Sequence, residues 1–445
     1  MRLTILGGGG FRVPLVHSAL LADPDHRVDE LRLHDPDPVR LAAVVAVLEQ
    51  QAAGAVRPPR ILVAPTLDDA LRGTDVVFSA MRVGGVRGRT VDERVALDLG
   101  LLGQETTGAG GVAYALRSVP ASLEVARRVA ALAPGAWVIN FTNPAGVVTE
   151  AMQTVLGDRV VGICDSPVAL ARRAMRVLGL EPGETTVDYV GLNHLGWLRG
   201  LHSGGTDHLP RLLADDRLLE RTEEGRLFGA PWLRALGAVP NEYLFYYYFT
   251  REAVASLRAA GQTRGEFLRD QQEAFYAEVA RSPADALATW RRVRAERDAT
   301  YLQEARAEGE ARDELDVEGG GYEGVALALM RALGGGAPAE LVLDVRSAGA
   351  VPGMPHDAVV EVPCTVDAGG PRPHPVAEPE GHMLGLMQSV KAVDRLVIEA
   401  VLERSEAAAL EAFALHPLVD SVTSARALLD AHLAQTPEVA DLFRR

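Results

Sequence analysis

Short β-branched apolar runs alternate with longer amphipathic stretches through the first half of the chain. The runs are Arg2–Leu6, Glu30–His34, Arg60–Val63, Val76–Ala80, Trp137–Phe141, Val160–Ile163 and Val187–Gly191. Their length and composition predict strands. Helical periodicity falls between them, over Pro38–Gln51, Ser118–Leu132, Pro144–Leu156 and Pro167–Leu178. Proline at or near the start of several of these suits a first turn, where a missing N–H costs nothing. Strand and helix in alternation predict an α/β fold built on a doubly wound, parallel, Rossmann-type sheet. Ligands of such a sheet bind outside the carboxyl ends of its strands.

The second half has a different pattern. From Leu212 to about Ala307 it is mostly helical, with an aromatic cluster at Tyr243–Phe249. A glycine joint, Gly319–Gly321, precedes another helix. Leu341–Val345 and Ala358–Cys364 have strand character, Pro371–Pro379 reads as a loop, and Leu384 onward is helical again. The pattern predicts a Rossmann-type domain over residues 1–196 and a helix-rich α+β domain over 197–445, with a loose boundary near Gly196–Gly205.

Composition narrows the function. The chain has 445 residues, long enough for two domains, and 48% are apolar, enough for a sizeable core. Acidic residues outnumber basic ones, 60 to 45, for a net charge of −15. That charge repels nucleic acid and anionic membranes, so an anionic substrate must be met by a local arginine cluster. Only Cys164 and Cys364 are present, which fits a reducing cytoplasm. With no leader-like N-terminal segment and no apolar run of spanning length, a cytoplasmic protein is expected.

Chemistry collects after the strands. The first empties into Gly7, Gly8, Gly9 and Gly10, where backbone could approach a pyrophosphate and the next helix could bind it. The G-x-G-x-x-G spacing is incomplete, since Arg12 or Val13 stands at the third glycine, and an ordinary tight turn is the plain alternative. Asp35 closes the second strand, placed to accept from a ribose 2′-hydroxyl and to disfavour a 2′-phosphate, so NAD is favoured over NADP. The plain alternative makes Asp35 or Asp37 a turn former. Cys164 and His194 follow later strands. Each could be a buried core residue; as metal ligands the two would make an incomplete shell, completed by oxygens of substrate or water. Arg82, Arg87, Arg89 and Arg94 crowd one segment, which could equally be a solvated helix face.

Together these segments resemble glycoside hydrolase family 4. The matching stretches are Gly7–Pro14 (GGGGFRVP), Met81–Gly85 (MRVGG), Gly103–Gly111 (GQETTGAGG), Asn140–Gly146 (NFTNPAG), Cys164–Pro167 (CDSP), Gly191–Trp197 (GLNHLGW) and Pro240–Tyr248 (PNEYLFYYY). Gly319–Gly321 and Met387–Ala400 match as well, so the resemblance runs in order over nearly the whole chain. It implies an NAD- and divalent-metal-dependent glycosidase, with Mn²⁺ the common metal. The implied substrates are 6-phosphorylated disaccharides or glucosides, and the implied assembly is a homodimer or homotetramer.

Carried over residue by residue, the resemblance makes Cys164 and His194 the metal ligands and Tyr243 the base. It makes Asp165 the general acid, and Arg89, Asn143 and Arg264 the substrate contacts, Arg264 at the sugar phosphate. The expected cofactor contacts are Gly7, Gly8, Gly9, Gly10, Phe11, Asp35 and Arg82. The implied reaction oxidises the sugar C3 hydroxyl with NAD⁺, removes the acidified C2 proton, eliminates the aglycone from C1 and adds water before the hydride returns.

Two departures stand out. Gly10-Phe11-Arg12 replaces a Ser-Ser-Tyr-like stretch, and Glu318 stands where many β-specific members carry Arg. The wording around Tyr243 and in the C-terminal helices resembles the β branch, whereas Asp165 resembles the α branch. The expectation is a 6-phospho-β-glucosidase, with a 6-phospho-α-glucosidase as the near alternative. An NAD-dependent 2-hydroxy-acid dehydrogenase and a catalytically silent nucleotide-binding regulator are the rivals from other classes.

Overall fold

A computed structural model describes residues 1–300 and 321–444. Glu318 and the first two glycines of the 319–321 joint lie outside the described residues. The strands are β1 (Arg2–Leu6), β2 (Glu30–His34), β3 (Arg60–Val63), β4 (Val76–Ser79), β5 (Trp137–Asn140), β6 (Val160–Gly162), β7 (Thr186–Leu192), β8 (Leu195–Ser203), β9 (Thr206–Asp207), β10 (Val239–Pro240), β11 (Ala339–Arg346), β12 (Val359–Asp367) and β13 (Gly370–Pro373). The first six pair in parallel in the order β3-β2-β1-β4-β5-β6. This is the doubly wound dinucleotide-binding order, whose switch point lies beside β1 and β4.

The sheet does not stop at β6. It continues antiparallel through β11, β12, β7, β8 and β10. β7 pairs with β8, Gly191 opposite Gly196, so backbone pairing runs through the position where the sequence pattern changes. The sheet is therefore mixed, and strands from late in the chain sit at its centre. β8 was absent from the sequence-based expectation because Gly196 and Gly200 break its apolar pattern. Gly196 is required there, since a Cβ would stand 2.2 Å from the Tyr189 hydroxyl oxygen. β13 falls inside the expected proline loop, where Pro371 and Pro373 are tolerated on a short outer strand.

Alternation along the strands buries both faces. Val76 and Phe78 enter one buried cluster, and Val77 between them enters the other, together with helix Ala109–Leu132. That helix was expected from Ser118 but starts nine residues earlier. Its glycines hid the start, because Gly110 lies so close to the preceding loop that a Cβ would be 2.1 Å from the Gln104 carbonyl oxygen. Elsewhere the caps fall as the sequence predicts. Asp37 accepts from the Val39 and Arg40 N–H groups at 3.0 and 3.1 Å, ahead of helix Pro38–Ala52. Thr263 and Glu266 form a capping box on helix Arg264–Arg281. No helix among the described residues is long and apolar enough to cross a membrane.

Candidate active site

The carboxyl ends of β1, β4, β5 and β6 open into one cavity. Gly7, Arg82, Asn143, Cys164 and Asp165 reach it from these strand ends, and His194, Tyr243 and Arg264 reach it from the second half. Residues more than 200 positions apart therefore meet there.

At the cavity's cofactor side, the glycine loop folds on itself. Gly7 N–H and Gly8 N–H both donate to the His34 carbonyl, and Gly10 N–H donates to the Gly7 carbonyl at 2.9 Å. Gly7 sits at φ +79°, and a Cβ there would lie 2.4 Å from the Ala80 carbonyl oxygen, so only glycine fits. Asp35 directly follows β2 with both carboxylate oxygens on backbone, accepting from Gly9 N–H at 3.0 Å and Asp37 N–H at 2.9 Å. Phe11 turns its ring inward, edge-on to Phe275 with centroids 5.1 Å apart, while remaining in the cavity wall.

The metal candidates share the cavity. Cys164 follows β6 and is buried. Burial, with the Glu361 and Asp165 carboxylates nearby, pushes its thiol well above the ordinary range. His194 is the second residue of the tight turn joining β7 to β8, at φ +61°, a left-handed conformation uncommon outside glycine. Asn193 beside it accepts from the Ala145 N–H at 3.2 Å, which ties the turn to helix Ala145–Leu156. Thr106 Oγ1 lies 2.9 Å from His194 Nδ1, and the Tyr243 ring stacks on the imidazole at 3.6 Å. Burial holds the imidazole neutral, with its pKa lowered to about 4, the form that can bind a metal. No group of three or more His, Cys, Asp or Glu is arranged for a metal among the described residues. The donor set fits a cation that takes its remaining ligands from substrate or water.

The crowded arginine segment is a solvated face only in part: Arg87 is exposed, whereas Arg82 and Arg89 turn toward the cavity. Arg82 and Arg89 both grip Glu105, at 2.5 and 2.7 Å, and Arg89 also pairs with Glu93 at 2.7 Å. Burial would raise Glu105, but the Arg82 and Arg89 charges hold it at about 2. Across the cavity, Arg264 donates to Thr300 Oγ1 at 2.6 Å and to the Arg297 carbonyl at 3.0 Å. Arg297 was not singled out from the sequence. Removal from solvent and the crowding of Arg12, Arg264, Arg82 and Arg89 drive its pKa well below the ordinary value. An anion placed there would relieve that repulsion.

Asn143, expected as a substrate contact, and a buried acid pair that the sequence reading did not single out complete the surroundings. Asn143 Oδ1 is buried without a hydrogen-bond partner among the described residues, next to the cis Asn143–Pro144 peptide. Behind Cys164, Asp344 and Glu361 stand directly opposite each other on β11 and β12, both fully buried. Tyr189 OH donates to Glu361 Oε2 at 2.9 Å. Burial raises both carboxyls, Asp344 to about 7, so the pair holds protons that ordinary carboxyls give up well below neutrality.

A Rossmann-ordered sheet with a thiol, an imidazole and arginines at its ligand edge defines an enzyme site. Residues 2–180 match the family 4 glycosyl hydrolase model, and residues 189–419 match the family 4 glycosyl hydrolase C-terminal domain. The chain belongs to glycoside hydrolase family 4, and is a glycosidase. It is 30% identical to the "Probable 6-phospho-beta-glucosidase" of Bacillus subtilis (strain 168), over 98% of this chain and 97% of that protein. It is 29% identical to the maltose-6′-phosphate glucosidase of the same organism, over 96% and 94%. The 6-phospho-beta glucosidase from Thermotoga maritima, solved with NAD and glucose-6-phosphate, superposes with TM-score 0.83 at 27% identity, covering 99% of each chain. A 6-phospho-alpha-glucosidase from gut microorganisms, solved with NAD and Mn²⁺, superposes with TM-score 0.78 at 25% identity over 97% of each.

Proposed function

We propose that this chain cleaves 6-phospho-β-glucosides, using NAD⁺ and a divalent cation, Mn²⁺ foremost. The observation that carries the reading is one cavity lined together by Cys164, His194, Tyr243, the arginines Arg264 and Arg297 and the dinucleotide-type glycine loop. When bound, NAD⁺ supplies a hydride acceptor for a sugar hydroxyl and the cation a Lewis acid for sugar oxygens.

The chain's own residues divide the remaining work. Cys164 Sγ and His194 Nε2 would hold the cation, with Nδ1–H donating to Thr106 Oγ1 so that one tautomer is fixed. Gly7–Phe11, Asp35 and Arg82 form the dinucleotide side. Arg264 and Arg297 hold the sugar phosphate, and Arg89 and Asn143 orient the ring. The Tyr243 phenol takes the C2 proton. Asp165, at the start of helix Ser166–Leu178, gives a proton to the departing glycosidic oxygen. The enzyme so read is cytoplasmic, a homodimer or homotetramer, and has no nucleic-acid or membrane partner.

Relatives of both anomeric types align over almost the whole chain, and the higher TM-score of the Thermotoga maritima β-enzyme supports the β reading. Asp165 directly after Cys164 favours the α reading. The deciding experiment gives the Mn²⁺-loaded protein and NAD⁺ the α and β anomers of p-nitrophenyl 6-phosphoglucoside. Faster release from the β anomer is expected. Release from the α anomer alone would reverse the assignment, and steady NADH accumulation with no release would point to a dehydrogenase.

A further inference from the structure

Three carbonyls of the glycine loop accept hydrogen bonds from aromatic side chains of the second half. Tyr276 OH donates to the Gly9 carbonyl at 2.7 Å, Trp290 Nε1–H to the Phe11 carbonyl at 2.8 Å, and Tyr322 OH to the Arg12 carbonyl at 2.8 Å. All three side chains are buried, and each comes from a different helix: Arg264–Arg281, Ala286–Ala299 and Tyr322–Leu333. None of these contacts is needed to close the loop, whose own backbone bonds run to His34 and Gly7.

A peptide unit is planar, so anchoring its carbonyl fixes the direction of the following N–H. The Phe11 anchor therefore fixes the direction of the Arg12 N–H, while the Gly9 and Arg12 anchors hold peptides whose N–H groups, those of Gly10 and Val13, donate within the loop to the Gly7 and Gly10 carbonyls. The same helices carry the anion-binding side chains. Arg264 begins the helix that holds Tyr276, and Arg297 lies two turns beyond Trp290 on the next. Taking the loop as the NAD⁺ site, as the proposed function does, we infer that Tyr276, Trp290 and Tyr322 are positioning residues for the dinucleotide. They hold the Gly9–Arg12 backbone in the course that receives the pyrophosphate, and Tyr276 and Trp290 join that loop to the helices that carry Arg264 and Arg297.

The test is calorimetric titration of NAD⁺ into the full-length chain and into Tyr276→Phe, Trp290→Phe and Tyr322→Phe, each of which keeps a ring but loses the donor. Each variant is expected to weaken NAD⁺ binding by about 5- to 10-fold, the loss of one hydrogen bond to a buried acceptor. Turnover at saturating NAD⁺ should stay within about twofold of wild type, so that KM for NAD⁺ moves and kcat does not. Phe275→Leu is the control: it loosens packing on the Phe11 ring but leaves all three bonds, and should lower Tm with unchanged NAD⁺ affinity. If the three donor variants lose stability and bind NAD⁺ as wild type does, the bonds are only structural and the inference falls. If wild type itself binds no NAD⁺, the reading of the loop as a cofactor site fails first, and the inference is lost with it.

Discussion

The His194 imidazole lies flat on the Tyr243 phenol, with ring centroids 3.6 Å apart and planes within 4°. The stack makes the proposed base and a proposed metal ligand one rigid unit, held at the imidazole's Nδ1 edge by Thr106. Tyr243→Phe keeps the stack and removes only the hydroxyl. It should lower kcat by about 100-fold or more and leave Tm and Mn²⁺ binding unchanged. A phenylalanine variant with wild-type kcat would eliminate Tyr243 as the base.

Metal dependence has its own signature. Dialysis against EDTA should abolish turnover without abolishing NAD⁺ binding, and added Mn²⁺ should restore it. A cation that binds the folded chain in preference to the unfolded one raises Tm, and Mn²⁺ should do so here. That rise should shrink in Cys164→Ser. An equal rise in the serine variant would place the cation elsewhere.

The arginine pair predicts selectivity. Arg297→Ala or Arg264→Ala removes a charge-assisted contact of about 1.5–3 kcal/mol, or roughly 10- to 150-fold in KM for a phosphorylated glucoside. Glu105, already gripping Arg82 and Arg89, leaves those two less able to substitute. Activity on an unphosphorylated glucoside, where measurable, should not change. Equal losses on both substrates would mean the arginines serve the fold.

Stability should fall toward both pH extremes, for separate reasons. His432 is fully buried, 3.9 Å from Asp92 Oδ1, and burial followed by the Arg117 charge lowers its pKa to about 3. Its contribution is present above the unfolded-state value of about 6.5 and is lost as pH falls toward 3. Asp344 runs the other way. Its raised pKa gives stability that is full below the unfolded value of about 3.9 and is lost as pH rises through about 7. Thermal melts from pH 4 to 9 should therefore show Asp344→Asn flatter than wild type on the alkaline limb, and His432→Phe, stacked on Phe413, flatter on the acid limb. Unchanged limbs in both would remove these groups as the source.

Much of this was legible in the sequence. The seven early strands, the glycine loop and the thiol and imidazole after β6 and β7 stand where their patterns put them, because each is written in local periodicity and turn chemistry. What escaped is long-range. Arg297 is one arginine among several on helix Ala286–Ala299, and only the fold brings it to Arg264 and Arg12. Asp344 and Glu361 each stand alone among apolar residues, in LVLDV and VVEVP, a pattern that could have marked them as buried acids; their pairing depends on register. The aromatic donors to the glycine loop left no sequence signal, since aromatics at helical spacing read as packing.

The central position of β11 and β12 sets an order of events during synthesis. Gly162 of β6 and Gly191 of β7 wait for Asp344 and Glu361, which leave the ribosome much later. Until then, two strand edges stay open on a nascent chain long enough to collapse by itself. Slow translation between these regions, or a shortage of chaperones, should therefore divert this protein toward aggregates before its site can ever assemble.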